Sequence, residues 1–348
     1  MDHSFDLNAS LRALKGRQRL LISPHDDPDP DALAAAWGMA RLLTREIGID
    51  AVIAFEGIIG RAENRAMVRE LGIKLRRLET LDLDTFDGVL LVDTQPAARN
   101  HSAPRSLPML GCVDHHPLLP DRVEYPWFDV RPAEGTTSAI VLTYLLARRI
   151  PVHHQLATAI LYALKTDTLD FSRGATDTDL AAYAYVFPRA DHEALGAIVN
   201  PRLDPPYFKL LHRALDMACI HGPAVVIYLA ELPYPDLVAE MADLFVRRRG
   251  IEWSLCGGTY KGALRFSLRT ENEGANAGSI VQGLVAAFGG AAGGHGTTAA
   301  GRIPVDEGDE ETANRIWSHL VEAFRSAVGI EAESELLLAP EDCQISAS

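Results

Sequence analysis

The sequence has no paired cysteines to work with: its four (Cys112, Cys219, Cys256, Cys343) include no CxxC pair. A disulfide framework and a thiolate zinc site are therefore not signalled, and the four read as free thiols of a reducing compartment. Basic residues do not dominate either, with Lys+Arg 33 against Asp+Glu 47 for a net charge of −14, which argues against gripping long nucleic acid through its phosphates. No run approaches the roughly 18 apolar residues that span a bilayer, and the opening Met1-Asp2-His3 lacks a basic and apolar leader pattern, so no membrane association and a cytoplasmic location are expected. A repeat of about 20–50 residues is missing too, which removes solenoids and propellers. What remains is a chain of 348 residues, 47% hydrophobic, long enough for two unlike domains with their own cores.

From Gln18 to Phe187 short apolar runs alternate with helical periodicity, the pattern of an α/β domain, doubly wound around a mostly parallel sheet. Strands are expected at Arg19–Ser23, Ala51–Phe55, Gly88–Val92 and Met109–Val113, and helices at Asp31–Arg45, Ser138–Arg148 and Gln155–Leu164. Three prolines within Asn200–Pro206 mark the start of a linker, followed by a helix near Tyr207–Ala218. A second, smaller α/β domain then reads as a strand at Ala224–Ala230, a helix at Pro235–Arg248, a hairpin of Trp253–Thr259 with Ala263–Arg269, a Gly/Ala-rich block at Gly283–Gly301, and a helix at Glu310–Val328. The expected division is 1–195, a linker at 196–220, a second domain at 221–330 and a peripheral tail at 331–348.

Chemistry-bearing groups gather where expected strands end. Pro24-His25-Asp26-Asp27-Pro28-Asp29-Pro30-Asp31 puts four carboxylates and an imidazole into seven residues, a crowding that cations relieve. The prolines hold the segment extended, so that His25, Asp29 and Asp31 point toward a common centre. Two more apolar strands stop at Asp, in Leu90-Leu91-Val92-Asp93 and in Cys112-Val113-Asp114-His115-His116, which together supply the oxygen and neutral imidazole donors a hard or borderline divalent ion takes. By itself Asp93 reads as a cap or turn residue, and Asp167 within Thr166–Phe171 as part of a helix end running into a polar loop. His153-His154 sits at an ordinary helix start and is assigned nothing. Downstream, the glycines around Gly293, Gly294 and His295 form a loop whose bare backbone suits an anion. Arg265, Ser267 and Arg269 share one face of a strand, which reads as an ordinary solvated sheet face or as one where a guanidinium forks onto a phosphate.

The order His25-x3-Asp29-x-Asp31, Asp93, Asp114-His115-His116, Asp167 resembles the DHH phosphoesterase superfamily, and Gly293–Gly301 is similar to its companion DHHA1 domain. The resemblance implies a two-domain phosphoesterase with a centre of two ions, usually Mn2+, with Mg2+ or Co2+ as substitutes, and an active site in the cleft facing a substrate-gripping second domain. It implies that His25, Asp29 and Asp93 hold one ion and that Asp31, Asp93, His115 and Asp167 hold the other, Asp93 bridging. His116 would face the scissile phosphate, Asp114 would orient the histidines, and Arg269 and His295, with Ser267, Gly293 and Gly294, would contact the substrate. Two departures stand out. Pro30 replaces the family's glycine, stiffening the loop, and Asp27 replaces its asparagine, adding charge beside the expected metals.

Within that superfamily the compact layout looks most like the nanoRNase and pAp-phosphatase group, which implies hydrolysis of short RNA oligonucleotides to mononucleotides, of the 3′-phosphate of pAp, or of both. A soluble cyclic di-AMP or pApA phosphodiesterase is the near alternative, and a catalytically inert nucleotide-binding module the remote one. The expected partners are short oligoribonucleotides or small nucleotides, with no long nucleic acid and no membrane, and monomer and homodimer both stay open.

Overall fold

The computed structural model describes residues 5–98, 100–120 and 123–338, the side chain of residue 295 excepted. The chain forms two units, Met1–Pro201 and Arg202–Ser348, the break falling inside the proline-rich stretch that begins at Asn200. Among the described residues no helix is long and apolar enough to cross a membrane.

The first unit runs α1 (Leu7–Leu14), β1 (Arg19–Pro24), α2 (Pro30–Ile47), β2 (Asp50–Phe55), α3 (Ala62–Leu71), β3 (Arg76–Arg77), β4 (Val89–Val92), β5 (Met109–Asp114), β6 (Trp127–Val130), α4 (Thr137–Ala147), α5 (His154–Asp167), α6 (Asp177–Val186) and α7 (His192–Val199). Its six strands lie in the order β3-β2-β1-β4-β5-β6, every pair parallel. β1, β4 and β5 are almost wholly buried, which is why they read as continuous apolar runs rather than as alternation. The strand order reverses between β1 and β4, and in such sheets the carboxyl ends flanking the reversal form the natural ligand crevice. One face buries a large core with helices, built around Leu33, Met39, Leu43, Ile140 and Ile160. On the other face Leu21, Ala54, Phe86, Val89, Leu91 and Cys112 pack with Leu78, Leu81 and Leu107, so that turns and loops rather than a second full helical layer cover it.

α2 begins for reasons written in its sequence. Asp29 is the N-cap and accepts from the Ala32 amide (3.0 Å), and Pro30 occupies the first helical position, where its fixed φ fits and its missing N–H costs nothing. Gly48 ends the helix in the left-handed conformation, φ +73°.

The second unit adds α8 (Pro205–Met217), β7 (Cys219–His221), β8 (Ala224–Glu231), α9 (Leu237–Phe245), β9 (Trp253–Thr259), β10 (Ala263–Thr270), α10 (Ala277–Ala286), β11 (Ala291–His295), β12 (Thr298–Pro304), α11 (Glu310–Ala327) and β13 (Glu335–Leu336). Its sheet has the order β11-β12-β10-β9-β8-β7-β13, antiparallel except for β8–β9, the pair that α9 connects. Two expectations are corrected here. The Gly/Ala block is no open loop: its glycines run through α10 into a β11–β12 hairpin, their small side chains having hidden the alternation. The stretch after 330 is not merely peripheral, because β13 pairs with β7 and closes that edge of the sheet; 339–348 lie outside the described residues.

Candidate metal centre

Three strand ends, one helix start and one helix end deliver the side chains. Asp93 follows β4 with φ +59°, a left-handed conformation that costs a non-glycine residue about 1–2 kcal/mol. Such strain persists where the surroundings fix a side chain in place. His25 follows β1, Asp29 and Asp31 open α2, and Asp114-His115-His116 close β5. Asp167 is the last residue of α5, where a carboxylate opposes the helix dipole and is costly unless a cation compensates it.

These groups converge. Three overlapping triads, His25–Asp29–Asp93, Asp31–His115–Asp167 and Asp93–His115–His116, each offer ligand atoms within 4.8 Å of one another. Asp93 links them, with Oδ2 3.6 Å from His25 Nε2 and Oδ1 3.7 Å from His115 Nε2. His25 Nε2 lies 3.8 Å from Asp29 Oδ1, and His115 Nε2 3.5 Å from Asp167 Oδ2. These separations exceed a hydrogen bond and match the span between two donors that each lie ~2.1 Å from one divalent ion.

The histidine tautomers suit the same purpose. His25 Nδ1 donates to the Asp26 carbonyl (2.8 Å) and His115 Nδ1 to that of Glu134 (3.3 Å), so each ring turns Nε2 toward the carboxylates. His116 is turned the other way. Its Nδ1 donates to Asp114 Oδ1 (2.8 Å), which also accepts from the His115 amide, and its half-exposed ring keeps Nε2 for something else. Asp114 is wholly buried and is itself held by Gln95, whose Nε2 donates to Asp114 Oδ2 (2.7 Å) and to the Pro117 carbonyl (3.0 Å).

The protein's own groups cannot carry the charge they bring together. Burial, then the neighbouring Asp93, pushes Asp31 up to about 7, and burial with the charges of Asp31, Asp29 and Asp93 pushes Asp167 up to about 9. Asp93 goes the other way: burial opposes ionisation, but His25, His116 and His115 outweigh it and hold the carboxyl well below the usual range. Burial also opposes the charge on His116, yet Asp114 and Asp93 prevail and raise it to about 10. Carboxylates kept together only by protons are suited to exchange those protons for divalent cations, and their oxygen and imidazole donors fit Mn2+, Mg2+ or Co2+ rather than a thiophilic ion.

The crowding argument needs one correction. Of the four carboxylates in residues 25–31, two are occupied elsewhere. Asp26 accepts from the Ser102 amide and hydroxyl (2.9 and 2.7 Å), and Asp27 from the Ile58 amide (2.8 Å). They pin neighbouring loops, and only Asp29 and Asp31 belong to the triads.

Sequence reasoning missed the segment that holds the ligands. Thr137 and Ser138 amides donate to the two oxygens of Asp31 (2.7 and 3.0 Å), and the Thr137 hydroxyl donates to Asp93 (2.7 Å). The signal was available as Gly135-Thr136-Thr137-Ser138 before an apolar run, an N-cap signature.

In the second unit Arg269 is largely buried, its Nε paired with Asp243 and its Nη1 donating to Ser267 Oγ (2.6 Å). Ser267 is fully buried, and its hydroxyl lies between Arg269 and the Ala299 carbonyl (3.3 Å), where it supports the arginine. Gly293 is exposed on β11, and nothing lies within 4 Å of where a Cβ would stand. Gly294 has φ +132° and room for no Cβ, which would lie 2.4 Å from Ala299 Cα, so this glycine is required by the hairpin itself. Residue His295 ends β11, and its side chain lies outside the described residues.

Residues 222–323 match the DHHA1 domain model. The second unit thus carries a DHHA1 domain. An uncharacterised protein of Methanocaldococcus jannaschii is 33% identical over 323 residues, 91% of this chain and 65% of that relative. A probable manganese-dependent inorganic pyrophosphatase of Deinococcus radiodurans is 34% identical over 173 residues, 49% of this chain and 54% of that protein. The chain thus spans 65% and 54% of the lengths of these curated relatives. The fold is shared with an exopolyphosphatase-related protein of Bacteroides fragilis, at 14% identity with a TM-score of 0.69, covering 92% of this chain and 98% of that one.

Proposed function

We propose that this protein is a DHH/DHHA1 metal-dependent phosphoester hydrolase that cleaves short RNA oligonucleotides to mononucleotides, removes the 3′-phosphate of pAp, or does both, in the cytoplasm. The observation that carries the reading is the convergence of His25, Asp29, Asp31, Asp93, His115 and Asp167 on a shared centre, with Asp93 common to two triads. Two Mn2+ ions, His25, Asp29 and Asp93 holding one and Asp31, Asp93, His115 and Asp167 the other, would supply an activated water and neutralise charge at phosphorus.

The chain's own residues do the rest. Thr137 and Ser138 fix Asp31 and Asp93 in orientation. Asp114 fixes His116, which presents Nε2–H to a phosphoryl oxygen or leaving group. In the second unit Arg269, set by Asp243 and Ser267, together with Gly293, Gly294 and His295, would hold a substrate phosphate. A net charge of −14 favours short substrates over polymers.

A second reading, pyrophosphate hydrolysis, is favoured by the name of the Deinococcus relative that matches about half of the chain. A product assay of the Mn2+-loaded protein against pAp, di- to penta-ribonucleotides, pApA, cyclic di-AMP and pyrophosphate separates the readings. Release of nucleotide monophosphate or of phosphate from pAp is expected; turnover of pyrophosphate alone would replace the nucleotide reading with the second. Asp93→Asn should abolish turnover on every substrate and lower Mn2+ content, and near-normal turnover in that variant would overturn the ligand assignment.

A further inference from the structure

We infer that Asp179, on α6 and more than forty residues from the segment it holds at Gly135 and Thr136, is the positioning residue that sets the geometry of the metal centre; this rests on the proposed metal-dependent reading. Asp179 is fully buried and accepts four hydrogen bonds. The Thr136 hydroxyl donates to Oδ1 (2.8 Å), while the amides of Gly135 (3.1 Å) and Thr176 (2.9 Å) and the Thr176 hydroxyl (2.7 Å) donate to Oδ2. The Glu134 side chain is tied to the same helix start: it accepts from the Thr178 hydroxyl (3.1 Å), and it lies 2.8 Å from the Thr176 hydroxyl, for whose one proton it competes with Asp179.

The segment so held, residues 134–138, is the one that touches three ligands at once. The Glu134 carbonyl receives His115 Nδ1, the Thr137 and Ser138 amides hold Asp31, and the Thr137 hydroxyl holds Asp93. His115, Asp31 and Asp93 come from three different elements, and this short segment is common to all of them. One buried carboxylate therefore fixes the relative placement of ligands drawn from β5, α2 and the end of β4. Gly135 records how closely the parts approach. A Cβ there would lie 2.4 Å from Asp179 Oδ2 and 2.8 Å from the Gly174 carbonyl.

The competing explanation is local. Asp179 also completes a capping box with Thr176 at the start of α6, a role that affects stability without affecting metal selectively. The two roles predict different outcomes. In Asp179→Asn the amide NH2 meets N–H donors, whereas Gly135→Ala displaces the carboxylate without altering it. Partners that orient metal ligands typically contribute 10–100-fold to affinity. Mn2+ binding, followed by the EPR signal of the free ion, should weaken by about that factor in both variants. Asp191→Ala removes the N-cap of α7 and serves as the destabilised control; it should lower the unfolding temperature while leaving Mn2+ affinity unchanged. Near-UV circular dichroism identifies a variant that does not fold, and the other then decides. Binding within twofold of wild type in a folded variant overturns the positioning role, whereas absence of Mn2+ binding by the wild-type protein overturns the metal reading instead.

Discussion

At the scale of single residues, two histidines adjacent in sequence do different things because their Nδ1 atoms meet different acceptors. His115 gives Nδ1 to a carbonyl and keeps Nε2 among the carboxylates, whereas His116 gives Nδ1 to Asp114 and faces outward. His116→Ala should lower kcat by about 10²–10⁴-fold with Mn2+ content intact, measured by steady-state kinetics beside metal analysis; loss of manganese would make it a ligand instead. The raised carboxyls of Asp31 and Asp167 give a second expectation. In protein stripped of metal the folded state keeps protons that the unfolded chain gives up near pH 4, so it binds more protons across that window and stability falls as pH rises from about 4 to 9. Mn2+ displaces those protons, so its affinity should strengthen between pH 7 and 9. Calorimetry in buffers of differing ionisation enthalpy should detect proton release at pH 7, and a buffer-independent heat would contradict it.

At the scale of elements, the strand ends carry most of what could be read in advance. β1, β4 and β5 are apolar runs that stop at a ligand-type residue, and burial on both faces makes that pattern visible without a structure. The β11–β12 hairpin was hidden because glycine and alanine carry too little hydrophobic contrast for a period of two to register. The pinning roles of Asp26 and Asp27 were hidden for another reason, since an aspartate that binds a backbone amide and one that binds a metal are the same letter. The tie from Asp179 to the ligand-holding segment was invisible because the partners that carry it, Gly135 and Thr136, lie more than forty residues away. Pro30 acts on the element rather than on the chemistry. Pro30→Gly frees the unfolded chain and removes the preset first turn of α2, and urea unfolding should show a loss of about 1 kcal/mol with kcat changed less than twofold.

At the scale of the whole molecule, each unit keeps its own hydrophobic cores, the parallel sheet with its candidate metal centre and the mixed sheet each having two among the described residues. In the first, the ligands meet where the strand order reverses, so the same topology that packs the core also opens the crevice. In the second, the two-residue strand β13 lies along β7. Its backbone covers amides and carbonyls that would otherwise stand ready to recruit a stranger. Cutting the chain after Gly329 should therefore turn a well-behaved preparation sticky, with self-association growing with concentration in light scattering while turnover per chain persists. So short a piece of backbone works as a hem, and trimming it invites the fabric to fray into its neighbours.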